Sequence, residues 1–324
     1  MVTIAPVVGP ALMRPLGRLG RNVTTVGLGT GSFPATGDPN VIRRCAAVVR
    51  HALCGRVNLI DCASNYAAGA AEAIVGCVLT DLIRAGTIER SQLIVCSKGG
   101  YSEHGESHSL EYEFLDRQLS TSLQRLQIEH IDVYFLHNPE EVLLREGRTA
   151  FVKVIHRAFE WLETAVALGR ISAYGVATAE GLRQDGPAFH PLEELLAIAT
   201  QIAGVSHHFS AIQVPFSLAS LDGLLVPNHC IAGRLLPALT AARTCGLATI
   251  GSASLNRMHL PIGLLRQVAA LSPSLTQPAQ VALNFARSAP GLDCALFGTS
   301  NPIHLAQALE VLATPLVDLR AVVG

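Results

Sequence analysis

The sequence predicts an α/β protein built as a (β/α)8 TIM barrel, preceded by an N-terminal β-hairpin. Eight apolar runs rich in β-branched residues recur along the 324 residues, and most are separated by helix-length segments with 3.6-residue periodicity. The chain is 49% hydrophobic and only 15% charged, as expected where helices cover both faces of a parallel sheet. Eight such units fit the usual barrel length of about 250 residues plus insertions. A doubly wound sheet is the competing arrangement.

The predicted strands follow one another along the chain. A hairpin is expected first, over about 13–26, with its turn at Leu19–Gly20, and the barrel is expected over about 23–316. The eight predicted barrel strands are VTTVGLGT (23–30), VNLIDCA (57–63), QLIVCSKG (92–99), IDVYFLH (131–137), ISAYGVAT (171–178), SAIQVPFS (210–217), GLATIGSAS (246–254) and DCALFGTS (293–300).

Helices are predicted between these strands. The clearest periodic segments are 40–53, 114–127 and 151–169, and Gly169 stands where a left-handed residue would close the last of them. The chain contains no internal repeat at a solenoid period and no low-complexity linker. We therefore expect a single domain over 1–324.

Composition excludes several classes of function. The formal net charge is −1 and the basic residues are scattered, which gives no support for a nucleic-acid or anionic-membrane surface. The longest stretch without charge, 195–221, contains too many polar side chains to span a bilayer. The N-terminus lacks a secretory pattern, and the eight cysteines form no CxxC pair and no metal-type spacing with histidine. We expect a cytoplasmic protein without a metal site.

Ionisable residues end three consecutive apolar strands. Asp61, Lys98 and His137 are these residues, and Tyr66 follows Asp61 by five positions. Each alone has an ordinary structural interpretation, Asp61 as a turn or cap residue and His137 as a hydrogen-bonded core residue. In a barrel, however, all four would project to one rim, where active sites are built. A lysine beside a tyrosine lowers the tyrosine pKa, which suits proton donation to a developing alkoxide.

The segments NLIDCASNY, AEAIVG, IVCSKGG and DVYFLHNPE resemble the aldo-keto reductase superfamily of NAD(P)-dependent oxidoreductases. The similarity continues, in order, through GRISAYGVAT, IQVPFS, GSASL and FGTSNPIHLAQAL. The resemblance implies an Asp-Tyr-Lys-His tetrad formed here by Asp61, Tyr66, Lys98 and His137. It implies hydride transfer between a nicotinamide cofactor and a carbonyl or alcohol carbon, with Tyr66 supplying or taking the proton and His137 binding the reacting oxygen.

The same resemblance implies where the nicotinamide half of the cofactor would bind. Gln213 corresponds to the glutamine that holds the carboxamide, and Phe216 to the aromatic residue that stacks on the nicotinamide; a core position for Phe216 is the alternative. A Ser-Asn pair of the family is replaced by Ala177-Thr178, with Thr178 as the possible substitute. The further positions are Gly29, Thr30, Gly31 and Asp61.

Phosphate contacts are implied at two later turns. Ser252 and Leu255 lie in the loop that resembles the family's pyrophosphate side. In FGTSNP, Gly298, Thr299 and Ser300 precede a predicted N-cap at Asn301 and a first-turn proline, so that backbone amides would face a phosphate; an ordinary helix start is the alternative. His304 and Ala308 replace an arginine and an asparagine of many NADPH-preferring members. NADP(H) is the expected cofactor, with NAD(H) as the alternative.

The expected substrate is a small carbonyl compound or the matching alcohol. For the apolar segment 217–233 two roles are expected: it covers the active site and favours a hydrophobic substrate, or it packs on its own cluster or on a partner subunit. A catalytically weak nicotinamide-binding sensor or regulatory subunit is the second functional hypothesis. A lyase that uses Lys98 as a Schiff-base nucleophile is disfavoured, because a neighbouring Asp61 would hold the amine as ammonium.

Overall fold

The computed structural model describes residues 13–323 and begins with the predicted hairpin. Strands β1 (Met13–Pro15) and β2 (Asn22–Thr24) pair antiparallel. The backbone amide of Leu16 donates to the carbonyl of Arg21 across the connecting turn, at 2.8 Å. The hairpin and the approximate position of its turn are thus confirmed.

Eight of the next ten strands close into a parallel barrel, which confirms the predicted fold class and excludes an open doubly wound sheet. The remaining two, β9 and β10, form an antiparallel hairpin outside the barrel. In chain order the ten strands are β3 (Val26–Gly29), β4 (Leu59–Asp61), β5 (Ile94–Gly99), β6 (Ile131–His137), β7 (Ile171–Ala177), β8 (Phe209–Pro215), β9 (His229–Ile231), β10 (Arg234–Leu236), β11 (Ala248–Ser252) and β12 (Cys294–Gly298).

Helices alternate with these strands, as the periodicity predicts. Gly169 adopts a left-handed φ of 70° just beyond the fifth helix, where the sequence predicts a left-handed cap. The helices are α1 (Pro39–Cys54), α2 (Ala70–Arg84), α3 (Tyr112–Leu126), α4 (Glu140–Glu146), α5 (Arg148–Ala167), α6 (Leu192–Ala203), α7 (Asp222–Leu225), α8 (Ala238–Thr244), α9 (Ile262–Leu271), α10 (Pro278–Arg287), α11 (Pro302–Glu310) and α12 (Arg320–Val323).

The hairpin closes one end of the barrel. Leu16 and Val23 are fully buried in the same apolar cluster as the inward-facing strand residues. Gly17 adopts a φ of 47°, and a Cβ there would lie 2.2 Å from the backbone nitrogen of Ala248, so only glycine fits this approach to β11. The hairpin therefore fills the N-terminal end and leaves the C-terminal rim open for a site.

The segment 217–233 does not line the cavity described below. It contains α7 and β9, which pack against α6 and α8. Its His229 is fully buried, donates to the carbonyl of Leu182 at 2.8 Å and accepts from the amide of Leu192 at 3.0 Å. The structure therefore supports the alternative in which this segment packs on an apolar cluster of its own.

One helical stretch within residues 13–323, Tyr66–Arg84, is long and apolar enough to cross a membrane by length and composition. Half of its most apolar window is buried inside the molecule. It begins with a one-turn 3-10 segment, in which Ala67 and Ala68 have left-handed backbones, and continues into the barrel helix α2. A buried core helix meets the same criteria, so the stretch is weak evidence for a membrane span.

A buried neutral histidine fixes the loop that precedes α6. His190 is fully buried, and its Nδ1 lies 3.1 Å from the carbonyl oxygen of Ala188. Burial lowers the pKa of His190 to about 4, although the Ala188 carbonyl opposes this shift. An unfolded histidine takes up a proton near pH 6.5, whereas His190 in the folded protein stays neutral down to about pH 4. The contribution of His190 to stability is therefore lost as the pH falls through this window.

We predict that the free energy of unfolding falls by about 2.5 kcal/mol between pH 7 and pH 4.5 because of His190 alone. Urea denaturation at both pH values measures this fall. In His190→Asn the decrease should be shallower by about that amount, whereas His104→Asn, at an exposed position, should reproduce the wild-type slope. Equal slopes for wild type and His190→Asn would contradict the assignment.

Candidate active site

A buried ion pair lies at the open rim of the barrel. Lys98, near the end of β5, places its Nζ 2.6 Å from Oδ2 of Asp61, at the end of the neighbouring strand β4. Nζ also donates to the carbonyl of Cys62 at 2.9 Å. The other carboxylate oxygen, Oδ1, accepts from Nε2 of Gln213 on β8 at 2.8 Å. Lys98 is fully buried, and Asp61 is nearly so.

This pairing keeps the lysine charged. Burial by itself lowers the pKa of Lys98, but the Asp61 carboxylate and Tyr66 raise it, and the net pKa lies above the ordinary lysine value. An amine nucleophile must be neutral to attack a carbonyl carbon. The environment of Lys98 therefore disfavours a Schiff-base mechanism, as the sequence predicts.

Tyr66 lies beside the ion pair at the start of a one-turn 3-10 segment, Tyr66–Gly69. The Nζ of Lys98 is 4.9 Å from the centre of its ring. Burial raises the pKa of Tyr66 above its ordinary value, while Lys98 lowers it and Asp61 raises it. Lys98 thus acts in the predicted direction, while the net pKa of Tyr66 is raised because the effect of burial is larger.

The turn that carries Tyr66 is held from outside the barrel by Arg125 of α3. Its Nη1 donates to the carbonyl of Ser64 at 3.2 Å, before Tyr66. After Tyr66, a Cβ at Gly69 would lie 2.3 Å from the Arg125 guanidinium carbon, and Gly69 has a φ of 81°. The same guanidinium forms ion pairs with Glu103 at 3.1 Å and with the fully buried Glu72 at 3.8 Å. Sequence reasoning missed Arg125, since no local pattern connects α3 to this turn.

His137 ends β6 on the other side of Tyr66. The ring centres of His137 and Tyr66 are 5.9 Å apart in an edge-to-face arrangement, and Tyr101 approaches His137 at 5.1 Å. Burial holds the pKa of His137 well below its ordinary value, and the charge of Lys98 and the neighbouring His108 lower it further. His137 is therefore neutral at physiological pH and can donate a hydrogen bond without adding a second cation.

A cavity of about 650 Å³ opens beside Tyr66, within the size range of small-molecule sites. Tyr66 lines this cavity, whereas Lys98 and His137 do not. The predicted residues that line it are Gly29, Gly31, Asp61, Tyr66, Gln213, Ser252, Leu255, Gly298, Thr299 and His304.

Four predicted cofactor residues do not line this cavity. Phe216 is a correction: its ring is fully buried and stacks on Phe285 of α10, with ring centres 5.9 Å apart, so the core alternative holds. Thr30 directs both its amide and its hydroxyl to the carbonyl of Asp61, each at 3.0 Å, which makes it a support for the strand end. Thr178 is buried with its hydroxyl unpartnered among the described residues, and Ser300 is half-buried outside the lining.

The last strand-helix turn has the predicted capping. Asn301 is the N-cap of α11, its side chain accepts from the amide of Ile303 at 3.0 Å, and Pro302 occupies the first turn. The Nε2 of His304 lies 3.5 Å from the Asn301 side-chain amide. Helix α11 contributes the imidazole of His304 to the cavity lining, but no arginine or lysine.

Sequence reasoning missed most of the cavity wall that lies beyond Tyr66. The loop after β11 contributes several of these residues in left-handed backbone conformations, with φ of 42° at Asn256, 50° at Arg257 and 66° at Met258. The beginning of α10 and one side of α11 supply a second part, through Gln277, Pro278, Ala279, Gln280, Gln307 and Ala308, and Ser32, Leu296 and Phe297 also line the cavity. A capping signal, Gln277 followed by Pro278, marks the start of α10 in the sequence, but nothing in the sequence indicates that it faces the cavity.

We predict that Asp61→Asn lowers the free energy of unfolding by about 3 to 5 kcal/mol, because it leaves the buried Lys98 ammonium without its carboxylate. A matched control is Asp81→Asn, which removes the partner of Arg50 in a pair whose side chains are 60% and 44% exposed. That loss should be below about 1 kcal/mol. Urea denaturation measures the free energy of unfolding of both variants. The double variant Asp61→Asn/Lys98→Met should regain part of the stability that Asp61→Asn alone loses. Similar small losses in the two single variants would contradict a buried charge pair.

Known proteins resemble this chain in sequence and in fold. The model of the Aldo/keto reductase family matches residues 25–184. The NADP-dependent D-sorbitol-6-phosphate dehydrogenase of Malus domestica is 29% identical over 133 residues, which span 37% of this chain and only 39% of that protein. The thermostable aldo-keto reductase Tm1743, solved with the inhibitor epalrestat, is 20% identical with a TM-score of 0.71, and the match covers 96% of this chain and 97% of that one.

An aldo/keto reductase from Klebsiella pneumoniae, solved with NADP and acetate, is 22% identical with a TM-score of 0.68, over 94% of this chain and 91% of that one. These two likenesses show that the chain shares the fold of those proteins. The family match includes the strands that carry Asp61, Lys98 and His137, together with the Tyr66 turn. Residues 25–184 of this chain therefore belong to the aldo/keto reductase family.

Proposed function

We propose that the protein is an NADP(H)-dependent oxidoreductase that interconverts a small carbonyl compound and its alcohol by hydride transfer. The observation that carries this proposal is the placement of Tyr66 between the buried Lys98–Asp61 pair and the neutral His137, in the lining of the 650 Å³ cavity. Relatives that are named for NADP, or solved with it, support the choice of cofactor.

The residues that line the cavity fit a dinucleotide. Gly29, Gly31 and Gly298 present backbone without side chains, and a Cβ at Gly31 would lie 3.3 Å from the Tyr66 ring. Gln213 presents its side-chain amide near Asp61, and Ser252 lies at the end of β11. A bound nicotinamide would supply or accept the hydride, while these side chains bind and orient it.

Tyr66 is the proposed proton donor. Because burial raises its pKa, the phenol stays protonated at neutral pH and can protonate an alkoxide oxygen as the carbonyl is reduced. The Lys98 ammonium, 4.9 Å from the ring, then stabilises the phenolate that remains. Asp61 keeps Lys98 charged, and His137 donates a hydrogen bond to the carbonyl oxygen.

The proposal also includes a cellular location and a substrate class. All eight cysteines are free, which supports the reducing, cytoplasmic location that the sequence predicts. The substrate is proposed only as a carbonyl compound, because neither the cavity nor the apolar segment 217–233 selects one chemical group.

We predict that Tyr66→Phe lowers turnover by at least about 100-fold while NADPH affinity is unchanged, because only the proton donor is lost. The assay follows the absorbance of the reduced cofactor with a panel of aldehydes and ketones, and calorimetry measures cofactor affinity. Tyr112→Phe is the matched control, at a half-exposed position on α3 outside the cavity lining, and should behave as wild type.

Two outcomes would contradict the proposal. Unchanged turnover in Tyr66→Phe would remove Tyr66 from the reaction. Tight NADPH binding by the wild type without turnover of any carbonyl compound in the panel would favour the sensor hypothesis instead.

A further inference from the structure

We propose that Arg257 supplies the permanent positive charge that binds a phosphate group of the cofactor in this chain. The inference rests on the proposed function and extends it to a residue that determines cofactor affinity. In many NADPH-preferring members of the family an arginine at the start of the helix corresponding to α11 contacts a phosphate. In this chain that position is His304, so a different cation is needed.

The charge inventory of the cavity points to Arg257. Among the described residues that line it, Asp61 is the one carboxylate, and its charge is matched by Lys98 beneath it. Arg257 is the one arginine or lysine in that lining, and His304 is the one imidazole. A dinucleotide has several phosphate charges, and an imidazole is only partly charged near neutral pH. Arg257 is therefore the side chain able to offer a permanent, bidentate phosphate contact.

The loop that holds Arg257 has an unusual, well-bonded backbone. Arg257 itself has a φ of 50°, a left-handed conformation that costs free energy in a residue other than glycine. Three backbone bonds hold the turn around it: Asn256 to Ala253 at 2.8 Å, Met258 to Leu255 at 2.7 Å and His259 to Asn256 at 3.0 Å. The arrangement presents Arg257 to the cavity from a fixed turn.

The Arg257 side chain is not used elsewhere in the fold. Its guanidinium makes no hydrogen bond or ion pair to any other residue between 13 and 323, and the residue is exposed. By contrast, Arg125 and Arg183 on the same open side of the barrel are committed to carboxylates, at 3.1 Å from Glu103 and 2.8 Å from Asp222. Arg257 thus combines cavity lining with donors available to a ligand.

The test measures binding directly. Calorimetric titrations of wild type, Arg257→Gln and Arg257→Lys use NADP⁺, NAD⁺, 2′,5′-ADP and ADP at low and high salt. We expect Arg257→Gln to weaken NADP⁺ binding by at least tenfold with a smaller salt dependence, and Arg257→Lys to retain part of the affinity. Arg266→Gln, on an exposed position of α9 outside the cavity lining, is the matched control and should bind as wild type.

The ligand series identifies the phosphate. If Arg257→Gln loses affinity only for NADP⁺ and 2′,5′-ADP, Arg257 contacts the 2′-phosphate and is the residue that selects NADP(H). If Arg257→Gln also loses affinity for NAD⁺ and ADP, Arg257 contacts the pyrophosphate. His304→Gln should change each affinity less than Arg257→Gln does.

Two results would overturn the inference, and they are distinguishable. If wild type binds and turns over NADPH but Arg257→Gln binds all four ligands as Arg266→Gln does, the inference fails and the proposed function stands. If wild type binds none of the four ligands, the proposed function fails and the inference fails with it.

Discussion

The ion pair between Lys98 and Asp61 is the constraint on which the rest of the site depends. Two charges 2.6 Å apart with almost no solvent exposure are costly to bury, and they persist only where each remaining donor and acceptor has a partner. The barrel provides these partners: the carbonyl of Cys62 on one side and the Gln213 amide from β8 on the other. Barrel closure is what brings β8 and β4 to the same carboxylate.

Stability and chemistry are assigned to opposite ends of this barrel. The hairpin inserts Leu16 and Val23 into the N-terminal end, so the C-terminal rim is the end left open. At that rim the Tyr66 turn has strained residues, with left-handed backbones at Ala67 and Ala68. Arg125 contacts both sides of the turn from α3, and thereby orders a segment that the strands themselves do not hold.

Sequence reasoning predicted the parts of the molecule that repeat a local pattern. Apolar runs gave the barrel strands, and Asp61, Lys98 and His137 were recognisable because charge or polarity interrupts those runs at their ends. Phe216 was misassigned because a phenylalanine after a strand has the same local pattern whether its ring faces the cavity or Phe285. Arg257 was missed because its role follows from a left-handed loop conformation, which no residue type in that loop signals. For Tyr66, spacing in the sequence reveals the nearby Lys98 charge but not the burial that raises the net pKa of the phenol.

The central claim is that burial outweighs the neighbouring Lys98 charge at Tyr66 and raises the pKa of its phenol. Ultraviolet difference spectroscopy between wild type and Tyr66→Phe, from pH 7 upward to the onset of alkaline unfolding, isolates the ionisation of this phenol. The account predicts that Tyr66 titrates above the ordinary tyrosine value of about 10. A titration clearly below that value would show that the Lys98 charge outweighs burial, and would contradict the account.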